Sequence, residues 1–229
     1  NFDHVRDINL NGTGVTDSID GFLSNFERIR SLQADKNRLT RLPEALGSMR
    51  NLAFLVLTEG TVHLTESSIA ALKELTLLEH LGLSLNPLGL APDISRMPAL
   101  EVLELSQCEQ RNWPTGLFDQ LRPETFSLNL TANELTSIPD VEPGSDQART
   151  LARTRLSRHR VSDAVLEKYN AYKTSVGIDP EPINPPSGVQ GRRQWARGPG
   201  VKDKAEKQAL WDRLEPVSYT HLTLPTSDL

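Results

Sequence analysis

The chain has 229 residues, with 25 Lys and Arg against 30 Asp and Glu, a formal net charge of −5, and 37% hydrophobic residues. That composition suits an ordinary soluble protein with one sizeable core plus an appendage, and the acidic balance excludes a binder directed mainly at phosphates, which needs clustered excess Lys and Arg. A single cysteine excludes an internal disulfide or a paired-cysteine zinc site, and no stretch approaches the roughly 18 apolar residues of a membrane span.

The N-terminus, NFDHVRDINL, has no charged-then-apolar signal region and enters a repeat almost at once. Without an initiating Met, the chain reads as a fragment of a longer one. The template L-x-x-L-x-L-x-x-N/C-x-L then recurs seven times, starting at Val5, Ile29, Leu52, Leu78, Leu100, Thr125 and Leu151. The intervals between starts, 24, 23, 26, 22, 25 and 26 residues, lie inside the roughly 20 to 29 residues of leucine-rich repeats. The expected fold is an α/β leucine-rich-repeat solenoid over residues 1–161, with a curved parallel sheet on the concave face and short helices or turns on the convex face.

One short strand per coil alternates its side chains, so template positions four and six point inward while three, five and seven face out. Ile8 and Leu10, Leu32 and Ala34, Leu55 and Leu57, Leu81 and Leu83, Leu103 and Leu105, and Leu128 and Leu130 are the expected inner row. The seventh copy offers Thr154 and Leu156, a weaker fit suited to a terminal coil. Position nine holds the structural turn residues Asn37, Asn86, Cys108 and Asn133, whose polar groups can pair with backbone that no sheet ladder satisfies. Thr13, Gly60 and His159 depart from the template there. Leu42 to Leu46 and Ile69 to Leu75 carry apolar residues at helical spacing and are expected as convex-side turns.

After the repeats, 162–178 reads as a capping helix, with Ser162 or Asp163 at its N-terminus and Val165, Leu166, Tyr169 and Tyr172 in one apolar stripe. Residues 179–200 are rich in Pro and Gly and read as a linker. Residues 201–216 regain helical character around Ala205, Leu210, Trp211 and Leu214, and 217–229 look like translated library-adapter sequence.

The expected partner-binding surface is the concave face around Phe54, Val56, His80, Val102 and Glu104, with Arg153 and Arg155 further along. Phe54, Val56 and Val102 place apolar groups in an outward row, which marks an interaction site, although scattered exposed apolar residues are also normal. The run Arg149 to Arg160 holds five arginines and no acidic residue. It either engages an acidic partner or a further domain, or is a solvated edge neutralised by Asp146, Asp163 and Glu167. His63, His80 and His159 fall in separate coils, so no metal site is expected, and no cofactor, small-molecule substrate or nucleic-acid partner is implied. Cys108, at position nine, reads as a buried thiol, and no base or orienting group pairs with it for catalysis.

The repeats, the segments RTRLSRHRVS and LEKYNAYKTSVGI, and the W-x-x-G and K-x-x-x-W-x-x-L patterns at Trp195 and Lys207 to Leu214 together resemble a known family. They are similar to bacterial leucine-rich-repeat effectors carrying a C-terminal novel E3 ubiquitin ligase domain. The resemblance implies a substrate-recognition module whose ligase domain begins near Trp195, secretion into a host cell, and a host protein as partner. The family's Cys-x-Asp catalytic motif has no counterpart, since Cys108 is followed by Glu109 and Gln110. The expected function is protein recognition without catalysis by this chain, either as the recognition part of such a ligase or as a free-standing repeat scaffold.

Overall fold

The structure is a computed structural model, and it describes residues 2–157 and 161–180. The linker from 181 onward, the helical stretch 201–216 and the tail 217–229 lie outside the described residues, as do Arg158, His159 and Arg160. Six strands of three residues each form one parallel sheet in sequence order: β1 (Asp7–Asn9), β2 (Ser31–Gln33), β3 (Phe54–Val56), β4 (His80–Gly82), β5 (Val102–Glu104) and β6 (Ser127–Asn129). Every strand pairs with the next at the same template position, so Ile8 stands beside Leu32, then Leu55, Leu81, Leu103 and Leu128. Such a register carries an entire row of like residues through the molecule, because a one-residue slip would turn each leucine outward.

The row at position four is almost sealed from water, with Leu32, Leu55, Leu81 and Leu103 at 0% exposure. Burying each such side chain stabilises the fold by about 1.5–3 kcal/mol. The convex side is built differently from coil to coil. Helix α1 (Asp20–Leu23) follows β1, a 3-10 turn over Glu44–Ser48 follows β2, and helix α2 (Glu66–Lys73) follows β3, its N-terminus capped by Thr65 accepting from Ser68 N at 3.2 Å.

No helix follows β4 or β5. The backbone there is held by Arg122, whose guanidinium donates to Ile94 O at 3.1 Å, Met97 O at 2.8 Å, Gly116 O at 2.8 Å and Leu117 O at 3.1 Å. It therefore ties two successive coils where their carbonyls lack helical partners. Gly116, at φ +74°, approaches Ser95 so closely that an added Cβ would lie 2.4 Å from Ser95 Cα.

Position nine joins each coil to the one before it. Asn37 accepts from Val15 N at 3.1 Å and donates to Leu10 O at 2.9 Å. Asn86 repeats this with Val62 N at 3.0 Å and Leu57 O at 2.6 Å. Asn133 accepts from both Cys108 N (2.9 Å) and Gln110 N (3.0 Å) while donating to Leu105 O at 2.7 Å. The departures have their own causes. Thr13 donates to Leu10 O at 2.7 Å, and Gly60 leaves room for Asn86, whose Oδ1 would be 2.8 Å from a Cβ there. In the first six copies position eight turns the chain out of the strand in the left-handed region: Gly12, Lys36, Glu59, Leu85, Gln107 and Ala132 have φ between 53° and 65°. Among non-glycines this conformation disfavours side chains branched at Cβ, and none stands there in these copies.

The seventh copy differs from the strand expected of it. Leu151 lies in helix α3 (Asp146–Ala152), Arg153 is that helix's C-cap, and among the described residues pairing with β6 is reduced to one isolated bridge between Asn129 and Arg155. The reason lies in Ser145, which caps α3 by accepting from Ala148 N at 3.1 Å, and in Thr154, whose hydroxyl turns back to Thr150 O at 3.0 Å, where the other copies present an inward aliphatic side chain. Helix α4 (Asp163–Ser175), capped by Ser162, packs on α3 and buries Leu166, Tyr169 and Tyr172 with Ile138, Ala148 and Leu151. Its tyrosines also meet backbone polar groups: Tyr169 donates to Thr154 O at 2.5 Å and Tyr172 to Pro139 O at 3.1 Å.

Replacing Asn133 by Ala leaves the N–H groups of Cys108 and Gln110 and the carbonyl of Leu105 without this partner in the interior. Urea unfolding is expected to show a loss of about 2–4 kcal/mol, with amide exchange rising first in the fifth and sixth coils.

Candidate functional site on the concave face

The outward rows at positions three and five come together across β3, β4 and β5. Phe54 and His80, paired in register, stack with ring centroids 4.3 Å apart and planes inclined by 31°. Val56 stands beside Gly82 in the next coil, where an added Cβ would meet Val56 Cγ1 at 3.2 Å and His80 Nε2 at 3.6 Å. Glycine thus lets Val56 and His80 close over the strand. Val102 follows His80 in the same row, and Glu104 follows Gly82. The sheet therefore presents an apolar strip with a carboxylate at its edge.

These apolar groups are half-buried. They cover one another because strand neighbours lie about 4.8 Å apart, well within reach of aromatic and branched side chains. Glu104 is likewise oriented within the protein: its Oε2 accepts from Asn129 Nδ2 at 2.6 Å, while Asn129 Oδ1 accepts from Thr131 N at 3.1 Å. Burial holds the His80 imidazole below its ordinary value of 6.5, opposed by the attraction of the Glu104 carboxylate.

Position seven was expected to share the outward surface, but its polar side chains form a second ladder between coils. Asn11 accepts from Asp35 N at 2.7 Å, Asp35 from Thr58 N at 2.7 Å, and Ser84 from Ser106 N at 3.0 Å. The signal was present in the sequence: Asn11, Asp35, Thr58, Ser84, Ser106, Thr131 and Ser157 are all small or short polar residues.

The arginines divide. Arg153, as the cap of α3, donates to Glu124 O across the preceding coil and so leaves the row in which the template put it. Arg155 remains exposed on the bridge to Asn129. Of the remainder of that run, Arg149 pairs with Asp146 at 2.7 Å.

Cys108 lies at 0% exposure with Sγ donating to Leu83 O at 3.2 Å, the bond that Asn86 and Asn133 make to their own preceding coils. Burial pushes its thiol up to about 11, against hydrogen bonding from the Leu85–Asn86 backbone. A thiol so placed is a weak donor within the core and a poor nucleophile. Among the described residues, no group of His, Cys, Asp and Glu is arranged to hold a metal ion, and no helix is long and apolar enough to cross a membrane.

Coils of one strand each, stacked in parallel and joined by amides at position nine, define a leucine-rich-repeat solenoid. No protein-family model matches the chain, and no curated protein matches it. Among solved structures it is similar to the Arabidopsis receptor kinase HAESA in complex with the peptide hormone IDA and the co-receptor SERK1, at 25% identity over 65% of this chain and 24% of that one, with a TM-score of 0.47. It is also similar to the HAESA leucine-rich-repeat ectodomain with an N-terminally extended IDA peptide, at 24% identity over 69% of this chain and 24% of that one, with a TM-score of 0.44. The chain spans about a quarter of the length of these receptor chains.

Two outcomes follow. Cys108 is expected to react slowly with a thiol reagent in native buffer, about tenfold faster for each pH unit toward 11, and rapidly once denatured; fast labelling of the folded protein near neutrality would contradict the buried placement. Because the native His80 pKa lies below its unfolded value, stability is complete above about pH 6.5 and falls as the pH drops through that range toward the native pKa. The shift of urea midpoint between about pH 7.5 and about pH 5.5 is expected to shrink in His80→Gln.

Proposed function

We propose that the chain is a protein-recognition module whose concave face binds a protein or peptide segment. The observation that carries this reading is the strip of Phe54, Val56, His80 and Val102 beside an oriented Glu104 carboxylate. Such a surface fits an apolar anchor laid over the strip and a cationic group reaching Glu104. The half-buried side chains lose little freedom on binding, which favours a pre-organised contact. Positions three and five supply the recognition surface, since position seven is engaged in the ladder.

The resemblance to novel E3 ligase effectors refines this proposal. On that reading the solenoid selects a substrate for ubiquitin transfer by a domain that follows it. Its support is sequence alone: the LEKYNAYKTSVGI segment, which lies in and just after α4, and the Trp195 to Leu214 patterns. The natural reading frame separates this from a free-standing scaffold, because about 200 further residues with a Cys-x-Asp motif favour the ligase and a stop near residue 216 favours the scaffold.

The recognition reading is tested by selecting a displayed peptide library on the chain and titrating the enriched peptides against Phe54→Asp and Glu104→Arg. Both changes leave the inner leucine row untouched, so circular dichroism is expected to match the parent while binding weakens by more than about 1 kcal/mol. Leu81→Asp buries an unpaired charge and is expected to unfold the neighbouring coils. Folded surface variants that bind as the parent does remove the concave face from consideration.

A further inference from the structure

The edge of the sheet at the N-terminal ends of the strands carries a charge pattern unrelated to the concave strip. Position two of the first five copies stacks in single file, with Arg30 N donating to Arg6 O at 2.7 Å, Ala53 N to Arg30 O at 2.9 Å, Glu79 N to Ala53 O at 2.8 Å and Glu101 N to Glu79 O at 2.8 Å, while the sixth copy has the buried Phe126 there. Along this row the side chains run from guanidinium through a small apolar residue to carboxylate. The adjacent row, one residue before each repeat start, reads His4, Arg28, Asn51, Leu77, Ala99 and Glu124, which adds Arg28 to the basic end and Glu124 to the acidic end. Arg6, Arg28, Arg30, Leu77 and Glu79 line one cleft of about 610 Å³.

The charged members are exposed, and Leu77, at 52%, stands among them uncovered. Arg30, Glu79 and Glu101 make no ion pair among the described residues. Within the N-terminal group, Arg28 meets Asp3 only at 4.0 Å.

A surface that is basic at one end, apolar in the middle and acidic at the other is its own complement when turned end for end. We propose that this edge is a self-association interface, where a second copy of the chain docks antiparallel about a two-fold axis between Ala53 and Leu77. A two-fold interface uses the same patch on both copies, so each contact occurs twice. Leu77 of each copy is then covered by the Asn51–Ala53 segment of the other. Arg30 meets the other copy's Glu101, and Arg6 its Glu124, with successive pairs about 4.8 Å apart along the edge. The concave face stays open in this arrangement, so the proposal is independent of the recognition site.

The test is the association state of the full chain over a dilution series, by sedimentation velocity and light scattering. The parent is expected to show a monomer–dimer equilibrium that weakens as salt rises. Arg6→Glu with Arg30→Glu reverses the charge at the basic end of position two, and Glu101→Arg with Glu124→Arg reverses it at the acidic end. Each pair of changes alone is expected to weaken self-association at least about a hundredfold, through like-charge contact. An equimolar mixture of the two variants is expected to restore a dimer, and so is the chain carrying all four changes. All four positions are exposed, and circular dichroism checks that the variants are folded. A parent that stays monomeric throughout the series overturns the proposal. So does a dimer that survives both sets of reversals, or a mixture of variants that does not recover it. Loss of the dimer in Phe54→Asp, with no loss in the charge variants, would place association on the concave face and overturn it as well.

Discussion

Stacking in a fixed register, position upon position, is what the rest of the molecule depends on. A three-residue strand has too few hydrogen bonds and too little apolar surface to persist alone, and each coil borrows both from its neighbours. The leucines at positions four and six exclude water from the interior, and the turn that follows must then satisfy its backbone without water. Asn37, Asn86 and Asn133 do this because one amide both accepts and donates, bridging the N–H and carbonyl of the preceding coil. Cys108 keeps the donor half of that arrangement through Sγ, and Asn133 of the next coil supplies an acceptor for the Cys108 N–H.

The same register governs which surfaces are available for binding. On the concave face, position seven serves the second polar ladder, so the proposed recognition surface is confined to positions three and five. Phe54, His80 and Val102 become one strip only because paired strands put them side by side. Glycine at position 82 matters as much as the larger residues, since any side chain there would push Val56 and His80 apart. At the strand edge, the register turns residues separated by some two dozen positions in the chain into an ordered gradient from Arg6 to Glu101.

The convex side shows how loosely the repeat constrains what lies between strands. Helix α2, a 3-10 turn and an Arg122-centred web of carbonyl contacts occupy equivalent places. Each satisfies the backbone in its own way, since the only common requirement is that the chain return to the next strand with its polar groups paired. At the C-terminal end the sheet gives way to α3 and α4, and the tyrosines of α4 bury their rings with Ile138, Ala148 and Leu151 while their hydroxyls donate to the carbonyls of Thr154 and Pro139.

The sequence by itself determined the repeat, the strand positions and the inner row, because strand alternation has a period of two and the coil spacing recurs within a narrow range. The position-nine amides were legible for the same reason. It could not show that the seventh copy becomes a helix and a bridge, since Leu151 fits the template and only the Ser145 cap and the Thr154 back-bond, realised in three dimensions, decide between helix and strand. Nor could it show that Arg153 would reach Glu124 O, that Arg122 would join two coils, or that Asp35 would cap Thr58 N. These depend on distances between residues of different coils. A one-dimensional pattern states which residues share a row; the tertiary structure decides which of them consume one another's polar groups and which remain for a partner.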